Sequence, residues 1–152
     1  MMNITPWGEN NEEAVQKFEQ QIGFALPEDY RQFLLKNNGA RVNNQRFFVK
    51  GLGQYVLMHV LYGLTSAHRA LTVGYWLNEH GDDIGEKELP IGHDQGGHQL
   101  LYITDGEDKG IYYWDHNHIF AKSAEGEGDT YFVADNFTEF CALLQDPAYI
   151  SA

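Results

Sequence analysis

The chain has 152 residues, and its 43% hydrophobic and 14% aromatic content excludes an intrinsically disordered protein. A net charge of −12 disfavours direct binding to nucleic-acid phosphates, and a single cysteine, Cys141, excludes an internal disulfide. The first residues have no pattern of a secretory signal, and the most apolar run, residues 56–77, contains histidines and an arginine, which is unlike a membrane span. We expect one domain over residues 1–152, with its core in about 12–145, in a soluble cytoplasmic protein.

The charge is distributed unevenly along the chain. Residues 1–70 carry seven Lys or Arg and six Asp or Glu, whereas residues 71–152 carry three and sixteen. Acidity of this kind keeps many proteins soluble, and it also forms surfaces that bind a basic protein partner. Both interpretations stay open from the sequence alone, and the first is the more common.

Two helices are predicted near the N-terminus. Residues 12–22 place apolar side chains on one helical face, and Gly23 is suited to end that helix. For the second helix, Pro27 suits the first helical position, and Asn38 and Gly39 offer a left-handed C-cap. Its apolar stripe has the spacing i, i+3, i+4 and consists of Tyr30, Phe33 and Leu34.

The middle of the chain predicts a hairpin followed by a helix. Residues 46–49 and 54–61 have the composition of strands and are flanked by glycines. Thr65 or Ser66 is suited to cap a helix that continues to about Glu79. A polar loop follows.

The C-terminal half predicts an antiparallel meander and a last helix. The predicted strands are 88–91, 98–104, 111–115, 119–122 and 131–134, with glycines and aspartates at the turns. Asn136 and Glu139 have the spacing of a capping box for the last helix, which Pro147 ends. The predicted fold class is α+β, with a mainly antiparallel sheet of about five or six strands and helices packed against it.

Four histidines concentrate in the meander, at His93, His98, His116 and His118, with Asp94 and Asp115 among them. His116 and His118 share a face only if they lie on a strand, but the pattern places His116 in a turn. No CxxC or HExxH pattern accompanies them. The favoured interpretation is therefore ordinary polar residues of turns and strands, and a metal site is the alternative.

Catalytic signals are weak. Cys141 falls on the apolar face of the last helix, where a thiol is normally inert, and no GxSxG, GxGxxG or P-loop pattern is present. Trp76 and Trp114 are suited to line a ligand pocket, although aromatic residues at such positions are more often core. We therefore predict no enzyme activity and no cofactor.

Three segments in order resemble a known family, the SUKH superfamily of bacterial toxin-immunity proteins, whose eukaryotic members include yeast cell-wall synthesis regulators. The segments are IGFALPEDYRQFLLKNNGA (22–40), LPIGHDQGGHQLLY with GIYYWDHNH (89–102 and 110–118), and ADNFTEFCALL (134–144). Each is weak alone, and their order and spacing carry the resemblance. Ala40, His98 and Asn136 stand where the family often has Gly, Asn and Ser.

The resemblance implies that the motif residues build the fold. Gly92, Gly96 and Gly97 would form a tight turn. Asp94 and Asp115 would accept backbone hydrogen bonds near the turns, and the Trp114 ring would pack in the fold. The motif residues are Leu26, Pro27, Tyr30, Asn38, Gly39, Gly92, Asp94, Gly96, Gly97, Trp114, Asp115, Phe137 and Phe140. No catalytic residue is carried over.

The function that the resemblance implies is immunity, in which the chain binds a cognate protein toxin, commonly a nuclease, and blocks it. The alternatives are a non-toxin interaction adaptor, as in the eukaryotic relatives, and a metal-dependent enzyme. Because nuclease clefts tend to be basic, exposed loop acids are the predicted toxin contacts. They are Asp82, Asp83, Glu86, Asp105, Glu107, Asp108, Glu125, Glu127 and Asp129.

Overall fold

The computed structural model describes residues 2–115 and 129–146, which form an antiparallel sheet with helices on both faces. The strands are β1 (Ile4–Pro6), β2 (Ala40–Val42), β3 (Arg46–Val49), β4 (Gln54–Leu61), β5 (Glu88–Asp94), β6 (Gln99–Ile103), β7 (Gly110–Trp114) and β8 (Thr130–Ala134). The helices are α1 (Glu12–Ile22), α2 (Glu28–Asn37), α3 (Val73–His80) and α4 (Phe137–Leu143), with a 3-10 turn at Arg69–Leu71. The predicted α+β class is confirmed.

The sheet order is β1-β2-β4-β5-β6-β7-β8, and β3 pairs with the first half of β4. Within the described residues there are eight strands, so the predicted count of five or six was low. The sequence analysis missed β1 and β2, which have three residues each. Strands of three residues show too little alternation of apolar and polar side chains to be recognised from the sequence. Their position in the sheet follows from pairing with β4 and with each other. The predicted strand 119–122 lies outside the described residues.

The core lies between the sheet and α1, α2 and α4. Tyr30 of α2 is fully buried, and its ring lies 6.2 Å from that of Tyr102 on β6 and 5.2 Å from that of Phe137 on α4. Phe47 of β3 packs edge-on against Phe140 of α4, with 5.2 Å between ring centroids. The apolar faces that the sequence predicted for α2 and α4 therefore meet over the sheet.

The third helix differs from its prediction. The sequence favoured one helix from Thr65 or Ser66 to about Glu79, but α3 begins at Val73 and is capped by Thr72. The cause is a distant residue, because Asn38 donates to the Thr65 carbonyl (3.0 Å) and accepts from the Leu64 N–H (2.9 Å). These bonds hold the chain in a non-helical path that local propensity does not reveal.

Most other helix ends lie close to their predicted positions, but α4 ends at Leu143, earlier than predicted, and Pro147 lies outside the described residues. Pro27 precedes α2 as its N-cap and is not its first helical residue. Asn136 caps α4 by accepting the Glu139 N–H at 2.8 Å, and Glu139 reaches back to the N–H of Asp135. Gly39 has a φ of 85°, as expected for a left-handed C-cap.

No helix in the described parts of the chain has both the length and the apolar character that a membrane crossing requires.

Candidate functional site

Asp94 closes the turn between β5 and β6. Its carboxylate accepts the N–H groups of Gly96 (2.9 Å) and His98 (2.8 Å), and it also accepts the Tyr113 hydroxyl (2.5 Å). Gly97 has a φ of 86°, which only glycine adopts without strain. Burial, followed by the hydrogen bond to Asp94, raises the pKa of Tyr113, so the phenol stays protonated. Asp94 is therefore fully used in holding the turn.

His98 links this turn to the end of β7. Its Nδ1 lies 3.3 Å from an Asp94 oxygen, and its Nε2 lies 3.4 Å from an Asp115 oxygen. All three side chains are buried. An imidazole that faces a carboxylate at each nitrogen is held in one orientation, so His98 has a structural role in joining two strands.

His93 belongs to a different cluster, on the opposite face of the sheet. The Tyr62 hydroxyl lies 2.8 Å from His93 Nδ1 and donates to Gln99 Oε1 at 3.0 Å. Burial lowers the pKa of His93 to about 4, and the neighbouring His59, whose ring centroid is 5.2 Å away, adds to the effect. His93 is therefore neutral at pH 7.

The four predicted histidines do not form one site. His93 and His98 are separated as described above, and His116 and His118 lie outside the described residues. Among residues 2–115 and 129–146, no group of three or more His, Cys, Asp or Glu is arranged to hold a metal ion.

The remaining chemical candidates, Cys141, Trp76 and Trp114, are partly or wholly buried. Cys141 is half-buried, and burial raises its thiol pKa to about 12, which is unfavourable for a nucleophile. Trp76 stacks on Tyr62, and Trp114 donates to the Asp129 carboxylate at 3.2 Å.

The strand register determines which of the predicted acidic loops lie together. Glu88 of β5 pairs with Ile103 of β6, which pairs with Gly110 of β7. The start of β5 and the β6–β7 loop therefore lie at the same end of the sheet, and Lys87 forms an ion pair with Asp105 there at 3.3 Å. We term this the acidic end. The opposite end, with the 94–98 turn and the β3–β4 hairpin, is the hairpin end.

The predicted toxin contacts divide between these places. Glu86, Asp105, Glu107 and Asp108 lie at the acidic end. Asp82 and Asp83 follow His80, whose ring contacts Trp114, so they are nearer the hairpin end. Asp129 is at the hairpin end, where its carbonyl accepts the Asp115 N–H at 2.7 Å. Glu125 and Glu127 lie outside the described residues.

Two helix starts add acids that the sequence analysis did not select. Asp29 accepts hydrogen bonds from the Tyr102 hydroxyl (3.2 Å) and the Thr138 N–H (3.0 Å), which brings the starts of α2 and α4 to the end of β6. A cleft of about 700 Å³ opens there, bordered by Glu28, Asp29, Lys109, Asp135 and Glu139. The sequence does show acids in the first turn of each of these helices. It does not show that the two helix starts lie side by side.

The acidic end thus gathers nine carboxylates from four segments, and the only cations in those segments are Lys87 and Lys109. The acids are Glu28, Asp29, Glu86, Glu88, Asp105, Glu107, Asp108, Asp135 and Glu139. The electrostatic field of so many negative charges favours a positively charged partner surface.

A model of the SMI1 / KNR4 family (SUKH-1) matches residues 9–142. The chain belongs to this family. It is also 24% identical over 155 aligned residues to the SPbeta prophage-derived uncharacterized protein YokK of Bacillus subtilis (strain 168), an alignment that covers 90% of this chain and 76% of that protein.

In this SUKH-1 domain, the motif residues lie in the core and at the turns. Leu26, Tyr30, Phe137 and Phe140 are buried. Gly92 permits a close strand contact, because a Cβ there would lie 2.3 Å from the Val60 carbonyl oxygen. These positions form the framework, and the acids of the acidic end lie around it.

Proposed function

We propose that this chain is a cytoplasmic immunity protein, which neutralises a cognate bacterial toxin by binding it and performs no chemistry itself. Membership of the SUKH-1 family supports the role, and the accumulation of carboxylates at the acidic end is the observation that carries the mode of binding. The toxin surface that fits this end is basic, as the substrate cleft of a nuclease is.

The negative charge at the acidic end would raise the rate of association with the toxin as well as complement its surface. Opposed fields raise association rate constants toward about 10⁸–10⁹ M⁻¹s⁻¹ at low salt. A nuclease damages its host within its own turnover time, so an inhibitor that associates fast protects better than one that associates slowly with the same affinity. The exposed loop acids Glu107 and Asp108 suit this role, because exposed charges at the rim of an interface act on association.

The test takes the product of the gene adjacent to this one as the toxin candidate, expresses it in an inactive form, and measures binding by calorimetry. The active form is then assayed on nucleic acid with and without the chain. We expect a one-to-one complex and loss of nuclease activity. Binding without inhibition would indicate an adaptor instead, and no binding would contradict the proposal.

A further inference from the structure

An apolar groove lies between β8 and α4, beside the acidic cleft. Its volume is about 310 Å³, and Phe132 and Leu143 stand on its two sides with 48% and 37% of their surfaces exposed. Val133 and Ala142 contribute to its lining. Exposed large apolar side chains that line one groove are a feature of interaction sites.

Phe132 is exposed but held in place. Its ring lies edge-on to Tyr112, with 5.6 Å between centroids, and the Tyr112 hydroxyl donates to the Asp108 carbonyl at 2.7 Å. The ring also lies over Gly110, where an added Cβ would come within 3.1 Å of it. A partner that contacts Phe132 therefore loses little side-chain entropy in ordering it, which is a property of residues that dominate binding energy.

The charges around the groove decide what it receives. Asp135 and Glu139 line both this groove and the acidic cleft, so two carboxylates stand at the edge of the groove. The groove thus has an apolar centre and a rim of carboxylates. A positively charged segment with an apolar side chain complements it, and the same acidic groove of a second copy does not.

We propose that this groove is the anchor point of the interface, and that it receives an apolar side chain flanked by Lys or Arg from the cognate toxin. The inference rests on the proposed function and adds to it the site of contact. The carboxylates steer the toxin toward the acidic end, and burial of Phe132 and Leu143 then holds it there.

The chain offers a matched control on the β3–β4 hairpin. Phe48 and Leu57 there are 44% and 38% exposed, close to the values for the groove pair, but they stand beside Arg46 and Lys50. The groove variant is Phe132→Thr with Leu143→Gln, and the control is Phe48→Thr with Leu57→Gln. Threonine suits a strand and glutamine suits a helix, so the groove variant keeps local propensity.

Calorimetry with the inactive protein encoded by the adjacent gene measures both variants. We expect the groove variant to lose at least about tenfold in affinity and the control to stay within about twofold, because a few anchors carry most binding energy. Equal losses, or a larger loss in the control, would overturn the inference.

Ala142→Arg gives a second test if the groove variant fails to fold. Ala142 is exposed on α4, so arginine removes no core contact, yet it adds bulk and positive charge to the groove. We expect weakened binding with an unchanged melting temperature, and unchanged binding would overturn the inference. Failure of the unmodified chain to bind would instead contradict the proposed function, whereas binding that survives both changes contradicts the groove alone.

Discussion

The carboxylates at the two ends of the sheet have different roles. At the hairpin end, Asp94 and Asp115 are buried against His98 and connect three strands. At the acidic end, Glu107 and Asp108 are exposed in a loop and hold no core contact. The acidic residues behind the net charge of −12 therefore include some that the fold requires and others that are available to a partner.

The cations show the same division. No Asp or Glu occurs between Asp29 and Glu79, a stretch that carries six Lys or Arg and includes the whole β3–β4 hairpin. Exposed aromatic residues on this hairpin, such as Tyr55 with Arg46 stacked over it at 5.1 Å, stand in a positive setting. Among the described residues, these two apolar patches thus lie in surroundings of opposite charge.

The largest expected effect is at the hairpin end. Asp94→Ala removes the acceptor of two backbone N–H groups and of the Tyr113 hydroxyl, and the carboxylate beside His98 Nδ1, so we expect a loss of about 3–5 kcal/mol in the free energy of unfolding. Asp108→Ala at the acidic end should change it by less than about 0.5 kcal/mol. Urea unfolding measures both, and similar losses would remove the distinction between the two ends.

A pair of glycines separates backbone strain from close packing, away from either end. Gly23 and Gly39 both have left-handed φ values, 84° and 85°, but a Cβ would meet nothing at Gly23 and would lie 2.6 Å from the Gly63 nitrogen at Gly39. We expect Gly23→Ala to cost about 1 kcal/mol and Gly39→Ala about 2–4 kcal/mol. Thermal unfolding compares them, and equal losses would mean that the approach of Gly39 to Gly63 is not tight.

How much of this was predictable from sequence depends on how local the cause is. Caps such as Asn136 with Glu139 depend on residues three positions apart, and the sequence predicted them. The missed start of α3 depends on Asn38, which lies 27 positions from Thr65. The acidic end was out of reach for the same reason, because it forms only when strand register and two helix starts bring distant acids together.

The pH dependence offers a smaller effect. The pKa of His93 is lowered from 6.5 to about 4 in the folded protein. As the pH falls, the imidazole is therefore protonated in the unfolded chain at a higher pH than in the folded protein. Its contribution to stability is therefore complete above about pH 6.5 and is lost on acidification toward pH 4, by about 2 kcal/mol after discounting for solvent screening of the half-buried ring.

The check is unfolding between pH 7.5 and 4.5 for His93→Gln and for the exposed His68→Gln. Glutamine keeps a hydrogen-bonding group near Tyr62 but does not titrate. The first variant should lose part of the acid dependence of stability, and the second should keep it. An unchanged dependence in His93→Gln would mean that other groups carry it.

The smallest expected effect on folding, and the most informative for function, comes from charge reversal at the acidic end. Changing Asp105, Glu107 and Asp108 to Lys removes three negative charges and adds three positive ones in an exposed loop, so stability should change by less than about 1 kcal/mol. Association with the toxin should slow by about tenfold at low salt and lose much of its salt dependence, because steering depends on the summed field.

Asp82→Lys with Asp83→Lys is the control, since these acids are equally exposed but lie toward His80. Stopped-flow mixing at several salt concentrations measures the association rate of both variants. The control has two substitutions instead of three, so its change in net charge is one third smaller. If the field of the acidic end guides the toxin, the β6–β7 loop variant slows association by more than that difference in charge explains. If the slowing scales only with net charge, the acids act through the whole molecule, and their arrangement at one end has no special part in recognition.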